Sequence, residues 1–356
     1  MTISKPVHTL AAAFLIAAGI SCSRSPAYEL GLYHWRTTVE YDTQDRAFFR
    51  SHNITRMYVR FFDVTYNRQR GETVPTAPAH IRRPYDPGCE TVPVVFITQD
   101  AISHCTTNNV DALAGKIISR IRLMADEIGI ASSVNELQLD CDWTRGTKDS
   151  YFALISAIQR HTARVFPGTA VSSTIRLHQI KYAESLGIPP ADSGMLMIYN
   201  VRSPHDFAAS NAIYNQPDAM RYLMYLPDYP LRLDYALPLY SQGRQFNAHT
   251  NFIRLINGLT DDDIDTNQFT RIGAHRYAAS TDSYIDSRRV MRGDFIIIDD
   301  TDLAAVRRII PLITRYGRNA RDGVAKTHVV LYHYEPSIRE RFSHEKLFGS
   351  DSFRHR

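Results

Sequence analysis

Short strand-like runs alternate with amphipathic helical stretches along most of this chain, and that alternation constrains its fold more than any other feature. The strand candidates are 29–35, 56–62, 92–98, 136–142, 170–177, 194–199, 233–239 and 327–334. Helical candidates lie between most of them, at 43–52, 109–128, 150–165, 218–225, 249–259 and 303–316. In the second of these, Leu113, Ile117, Ile121, Met124 and Ile128 recur at the spacing of a helix that faces a core. Eight strands with helices between them predict an α/β fold, a (β/α)8 TIM-type barrel spanning 29–342. Two segments break the rhythm. Residues 67–90 are rich in Pro, Gly and Arg and read as a long loop after the second strand, and 269–299 read as extra strands, a β insertion between strands seven and eight. Residues 343–356 form a C-terminal tail.

The N-terminus has a separate logic. Lys5 precedes an uncharged apolar run of eleven residues, Leu10 to Ile20. At about 1.5 Å per residue this run cannot cross a hydrocarbon core of roughly 30 Å, so 1–21 read as an export signal rather than a membrane span. The run ends Gly19-Ile20-Ser21-Cys22, small residues directly before a cysteine. This resembles a lipobox, although Gly19 stands where Leu is usual, and it predicts acylation of Cys22. Residues 22–28 would then tether the barrel, and the protein would sit in the bacterial cell envelope, facing the periplasm or in the outer membrane.

Removing 21 of the 356 residues leaves 335, and the hydrophobic fraction of 44% is ample for one large core. The net charge of +4 is mild and the basic residues are scattered, which argues against a nucleic-acid partner. Cys89 and Cys105 bracket the strand 92–98, which spans more than about 20 Å, too far for a disulfide. The histidines show neither H-x-H nor H-E-x-x-H spacing, so neither a metal nor another cofactor is expected.

The most informative strand is Glu136-Leu137-Gln138-Leu139-Asp140-Cys141-Asp142-Trp143. Its alternation puts Glu136, Gln138, Asp140 and Asp142 on one face and the apolar residues on the other. In a barrel the apolar face meets the helices, so the polar row points inward. Carboxylates stacked there are desolvated and repel one another, an arrangement that proteins keep mainly at active sites. The competing reading is an edge strand whose polar face meets solvent. On the next strand Ser172, Thr174, Arg176 and His178 share a face, and Arg176 is a natural counter-charge for the aspartates. Other strands end in polar groups on what should be the same rim: Asp63, Gln99 with Asp100, Tyr199 with Asn200, and Glu335. Any one of these by itself is more often a helix cap than a catalyst, with Asp63 and Asp100 evenly balanced between the two.

Four segments resemble the chitinase and endo-N-acetylglucosaminidase family of glycoside hydrolases, which is also a (β/α)8 barrel. Leu30-Gly31-Leu32-Tyr33-His34-Trp35 resembles its aromatic first strand, and Leu139-Asp140-Cys141-Asp142-Trp143 the second half of the fourth-strand motif D-x-x-D-x-D-x-E. Leu196-Met197-Ile198-Tyr199-Asn200 resembles the sixth-strand M-x-Y-D/N, and the segment from Ala236 to Arg244 the seventh-strand G-L-P-x-Y-G-R with a Gln inserted. The chain is also similar to bacterial lipoproteins that carry hydrolase-like barrels. The resemblance implies that Asp142 orients the substrate and that Asp140 supports it. One departure stands against it. The family's proton-donating glutamate is Thr144 here, and the first Asp of the motif is Leu137.

The expectation is therefore a cell-envelope glycoside hydrolase acting on a polysaccharide or other glycan, with Asp140, Asp142 and Glu335 as catalytic carboxyls. Trp35, Gln99, Arg176, Tyr199, Asn200 and Tyr240 would bind the sugars. The alternative, which Thr144 favours, is an envelope lipoprotein that binds glycans without cleaving them.

Overall fold

The computed structural model describes residues 28–317 and 327–341. The signal segment, Cys22 and its tether up to residue 27, and the tail from 343 onward lie outside the described residues. Among those described, no helix is long and apolar enough to cross a membrane.

Eight parallel strands close into a barrel. In chain order they are β1 (Tyr28–His34), β2 (Ile54–Asn67), β3 (Glu90–Ile97), β4 (Glu136–Cys141), β5 (Ala170–Arg176), β6 (Ser193–Met197), β7 (Leu233–Pro238) and β8 (Thr327–Tyr332). Each pairs with its neighbours in sequence, and β1 pairs with both β2 and β8, which closes the ring. Helices pack outside. The helix Thr43–Ser51 starts at a reciprocal cap in which the Asp42 and Asp45 side chains each accept from the other's backbone N–H. The helix Val110–Glu127 buries Leu113, Ile117, Ile121 and Met124, the stripe its spacing predicts, and Lys148–Val165 buries Tyr151, Leu154, Ile155 and Ile158.

Two expected elements differ. The segment 67–90 is not a featureless loop: β2 runs on to Asn67, turns, and pairs antiparallel with Glu72–Thr76 from Asp63↔Thr76 to Asn67↔Glu72. The Asn67 side chain accepts from the N–H groups of Gln69 and Arg70, and Gly71 takes the left-handed φ of +65° that the turn requires. The segment 249–259 is not a helix. Its residues Phe252–Asn257 form a strand paired antiparallel with Gln242–Phe246. Phe252, Ile256 and Leu259 mimic helical spacing, but the hydrogen-bonding edge offered by Gln242–Phe246 decides the conformation.

These two strands join Phe295–Asp299, Arg276–Ala279 and Phe269–Gly273 in a five-stranded sheet between β7 and β8. It begins well before residue 269 and has its own small core around Ile256, Phe269, Tyr277, Ile296 and Ile298.

Candidate functional site

The inward row on β4 is the foundation of the site. Glu136, Gln138 and Asp140 are all buried, and each is satisfied by a neighbouring strand. Gln138 accepts from the Tyr33 hydroxyl of β1 and donates to Ser172 Oγ of β5 at 3.4 Å. Ser172 donates to Glu136 at 2.6 Å, and Arg56 of β2 donates to the other Glu136 oxygen at 2.9 Å. On the opposite face the helix Lys148–Val165 closes over the strand. Its Tyr151 hydroxyl donates to the Leu139 carbonyl at 3.3 Å, and the Tyr151 ring stacks on Trp143. The polar face therefore points into the barrel and the apolar face meets the helices.

Asp140 ends this row beneath the barrel mouth. It accepts from Thr174 Oγ1 at 2.7 Å and lies 3.4 Å from Arg176 Nη2. Burial pushes its carboxyl above the ordinary range, with Arg176 and then Thr174 pulling the other way. Asp142, one pleat further on, is half-exposed and pairs with Arg176 Nε. Burial alone would lower the Arg176 pKa, but Asp140 and Asp142 outweigh it and hold the guanidinium above its usual value. One arginine thus holds both aspartates.

This arrangement gives a pH prediction. A carboxyl whose folded pKa is raised contributes stability that is full below the ordinary carboxylate value and is lost as pH rises through the folded value. Asp140→Asn cannot ionise. The unfolding free energy of the wild type minus that of this variant should therefore fall as pH rises from about 4. Urea melts of both proteins at several pH values measure it, and a difference independent of pH refutes it.

The mouth holds a cavity of about 1130 Å³. It brings together Asp140, Asp142, Arg176, Tyr199, Asn200 and Tyr240 with Trp35 and Glu335. Tyr240 donates to the Asn200 side chain at 2.9 Å, and Asn200 has a left-handed φ of +55°, a conformation asparagine tolerates better than most residues. The Tyr199 ring stacks on Tyr332 with centroids 5.0 Å apart, and Trp35 lies 5.8 Å from Tyr332. Glu335 follows β8, opposite β4 in the ring, with His333 Nε2 3.4 Å away. Burial lowers the His333 pKa, with Glu335 opposing.

Gln99 is not brought to this site: it is exposed at the start of the short helix Gln99–Ser103, which Thr98 caps. Its strand stops at Ile97, so Gln99 leaves the rim. Asp100 pairs there with Arg68 and His104, Asp63 pairs with Arg60, and His178 is exposed on the helix Leu177–Lys181. Tyr332 and His333 also line the cavity; the sequence places His333 at the end of strand eight without a role and does not single out Tyr332. The signal for Tyr332 was parity, because His328, Val330 and Tyr332 share a face of β8 and His328 points inward to Asp234 at 3.1 Å. Among the described residues, no cluster of His, Cys, Asp and Glu is placed to hold a metal ion.

Several solved structures share this architecture. A chitinase from Chromobacterium violaceum superposes with a TM-score of 0.55 at 12% identity, over 93% of this chain and 100% of that one. The spore cortex-lytic enzyme SleL of Bacillus cereus gives 0.54 at 12%, over 91% of this chain and 75% of that one. A glycoside hydrolase family 18 N-acetylglucosaminidase from Paenibacillus barengoltzii gives 0.50 at 12%, over 92% of this chain and 98% of that one. The fold is that of the chitinase barrels. No family model matches the sequence, and no curated protein does.

Within that fold, Thr144 is exposed and does not line the cavity; its N–H is tied to Thr147 Oγ1 at 2.9 Å in the turn before Lys148–Val165. A carboxyl acting on a glycan in this cavity must come from elsewhere.

Proposed function

We propose that the cavity binds a glycan and that the protein hydrolyses a glycosidic bond there. The observation that carries this reading is that two carboxyls, Asp142 and Glu335, line one aromatic-walled mouth. Asp142 is clamped by Arg176, and Glu335 lines the same cavity from the end of β8 beside His333. Hydrolysis through an oxocarbenium-like state needs one anionic carboxyl to stabilise positive charge and one protonated carboxyl to release to the leaving oxygen. Asp142 takes the first role and Glu335 the second. Asp140 supports Arg176 from below, and Trp35, Tyr199 and Tyr240 offer ring faces and hydroxyls to the sugars. The chitinases and the spore cortex-lytic enzyme that share the barrel support a glycan as the substrate class.

A second reading is favoured by Thr144 and by the engagement of both aspartates with one arginine: the barrel binds glycans and does not cleave them. A glycan-array screen of the wild type beside a reducing-sugar release assay separates the two. Binding with release is expected. Binding without release from any bound glycan selects the second reading, and an absence of both overturns the glycan assignment.

The apolar run ending at Cys22 supports anchoring of the barrel to the bacterial envelope by a lipid on that cysteine. Metabolic labelling with a fatty-acid analogue should tag the wild type, and Cys22→Ala should abolish the tag. A labelled Cys22→Ala protein sinks the anchoring reading.

A further inference from the structure

His333 is a titratable group in the cavity that the reading above leaves without a role. It follows β8 directly, two residues before Glu335, and its ring is largely buried at the cavity rim. Nε2 lies 3.4 Å from Glu335 Oε1, and the Tyr334 backbone is also within hydrogen-bond reach of the ring. Charged and titratable groups among the described residues approach it from several elements. From the end of β1 come Arg36 and His34, and His34 already directs its own Nε2 to the Thr38 carbonyl at 3.1 Å. Tyr332 precedes it with ring centroids 5.1 Å apart, and Tyr240, after β7, is 6.5 Å away. Glu335 is the carboxyl that faces the imidazole.

An imidazole in this setting is pulled two ways. Burial disfavours its cation, and the Glu335 carboxylate and the Tyr334 backbone favour it. A proton placed between Nε2 and the carboxyl satisfies both groups, whichever atom formally carries it. Two groups coupled this closely lose their protons in steps that belong to the pair.

We propose that His333 is the positioning residue for Glu335: through Nε2 it holds the carboxyl at the cavity rim and shares one proton with it, so that the two titrate as a unit. The singly protonated pair is then the competent acid. This rests on the reading of Glu335 as the proton donor. A dyad of this kind keeps a proton available at a pH where a lone glutamate, with a pKa of about 4.3, is already ionised.

The test has two readouts on the full chain. In the first, imidazole signals of 13C-histidine-labelled protein are titrated, and the His333 resonance is assigned from its loss in His333→Gln. Glu335→Gln, at a half-exposed position, should lower the His333 midpoint by about one pH unit, because the anionic neighbour is gone. In the second, the pH profile of sugar release is compared for wild type and His333→Gln. The alkaline limb should move to lower pH, toward the range of a lone carboxyl, with KM nearly unchanged. A merely structural histidine would lower kcat without moving the limb. An unmoved His333 midpoint in Glu335→Gln overturns the dyad, even if the wild type releases sugar. A shifted midpoint in a protein that releases no sugar upholds the dyad and overturns the hydrolase reading instead.

Discussion

Glu335→Gln and Asp142→Asn should each lower reducing-sugar release by a factor on the order of 10² to 10⁴, the usual loss when a catalytic acid or base is removed. Both changes keep the shape of the side chain nearly constant, so glycan affinity should change far less. The roles differ, and so should the residual profiles. Wild-type turnover should be bell-shaped in pH, because it needs one carboxyl protonated while another is ionised. Glu335→Gln removes the limb that reports the donor, whereas Asp142→Asn removes the anion that Arg176 holds in place. Arg176 keeps Asp140 as a counter-charge in the second variant, so the cavity should not rearrange. The measurement is steady-state kinetics on the best glycan from the array screen. Release that survives both substitutions would assign the chemistry to other carboxyls.

Arg244→Met should cost about 3–5 kcal/mol in unfolding free energy, the range for breaking a buried ion pair from one side. Arg244 and Asp299 have no exposed side-chain surface, with Arg244 Nε 2.8 Å from one Asp299 oxygen and Nη2 2.9 Å from the other. The same guanidinium donates to the carbonyls of Asp206 at 2.7 Å and Ala209 at 2.8 Å, which ties the loop after β6 to the five-stranded sheet. Removing it leaves the Asp299 charge buried with Gln242 as its remaining side-chain hydrogen-bond donor among the described residues, at 3.1 Å. Replacing both members of the pair by apolar residues removes that stranded charge, so the double variant Arg244→Met/Asp299→Leu should recover much of the loss. Urea titrations read both outcomes, with a lower midpoint at constant slope expected for the single variant. A single variant within about 1 kcal/mol of the wild type would show that the pair contributes little.

The sequence by itself determined the barrel and the direction of its polar row. Eight strands separated by helical periodicity admit few other closures, and the strict alternation from Glu136 to Asp142 leaves two faces of opposite character, of which the helices can cover only the apolar one. It also placed Trp35, Arg176, Tyr199, Asn200 and Tyr240 at strand ends on one rim, since parallel strands bring their C-terminal ends together. Tertiary structure alone decided the rest. Whether Gln99 reached the rim depended on where β3 stopped and Thr98 began to cap a helix, a difference of two residues that no pattern records. Phe252–Asn257 became a strand because Gln242–Phe246 offered it an unpaired edge, and a local helical spacing cannot outweigh a ladder of backbone hydrogen bonds. The shared inward face had marked Arg176 as the counter-charge for the aspartates, but that one guanidinium reaches both of them came from strand stagger. Distances set by closing the barrel are not written in the spacing along any one strand.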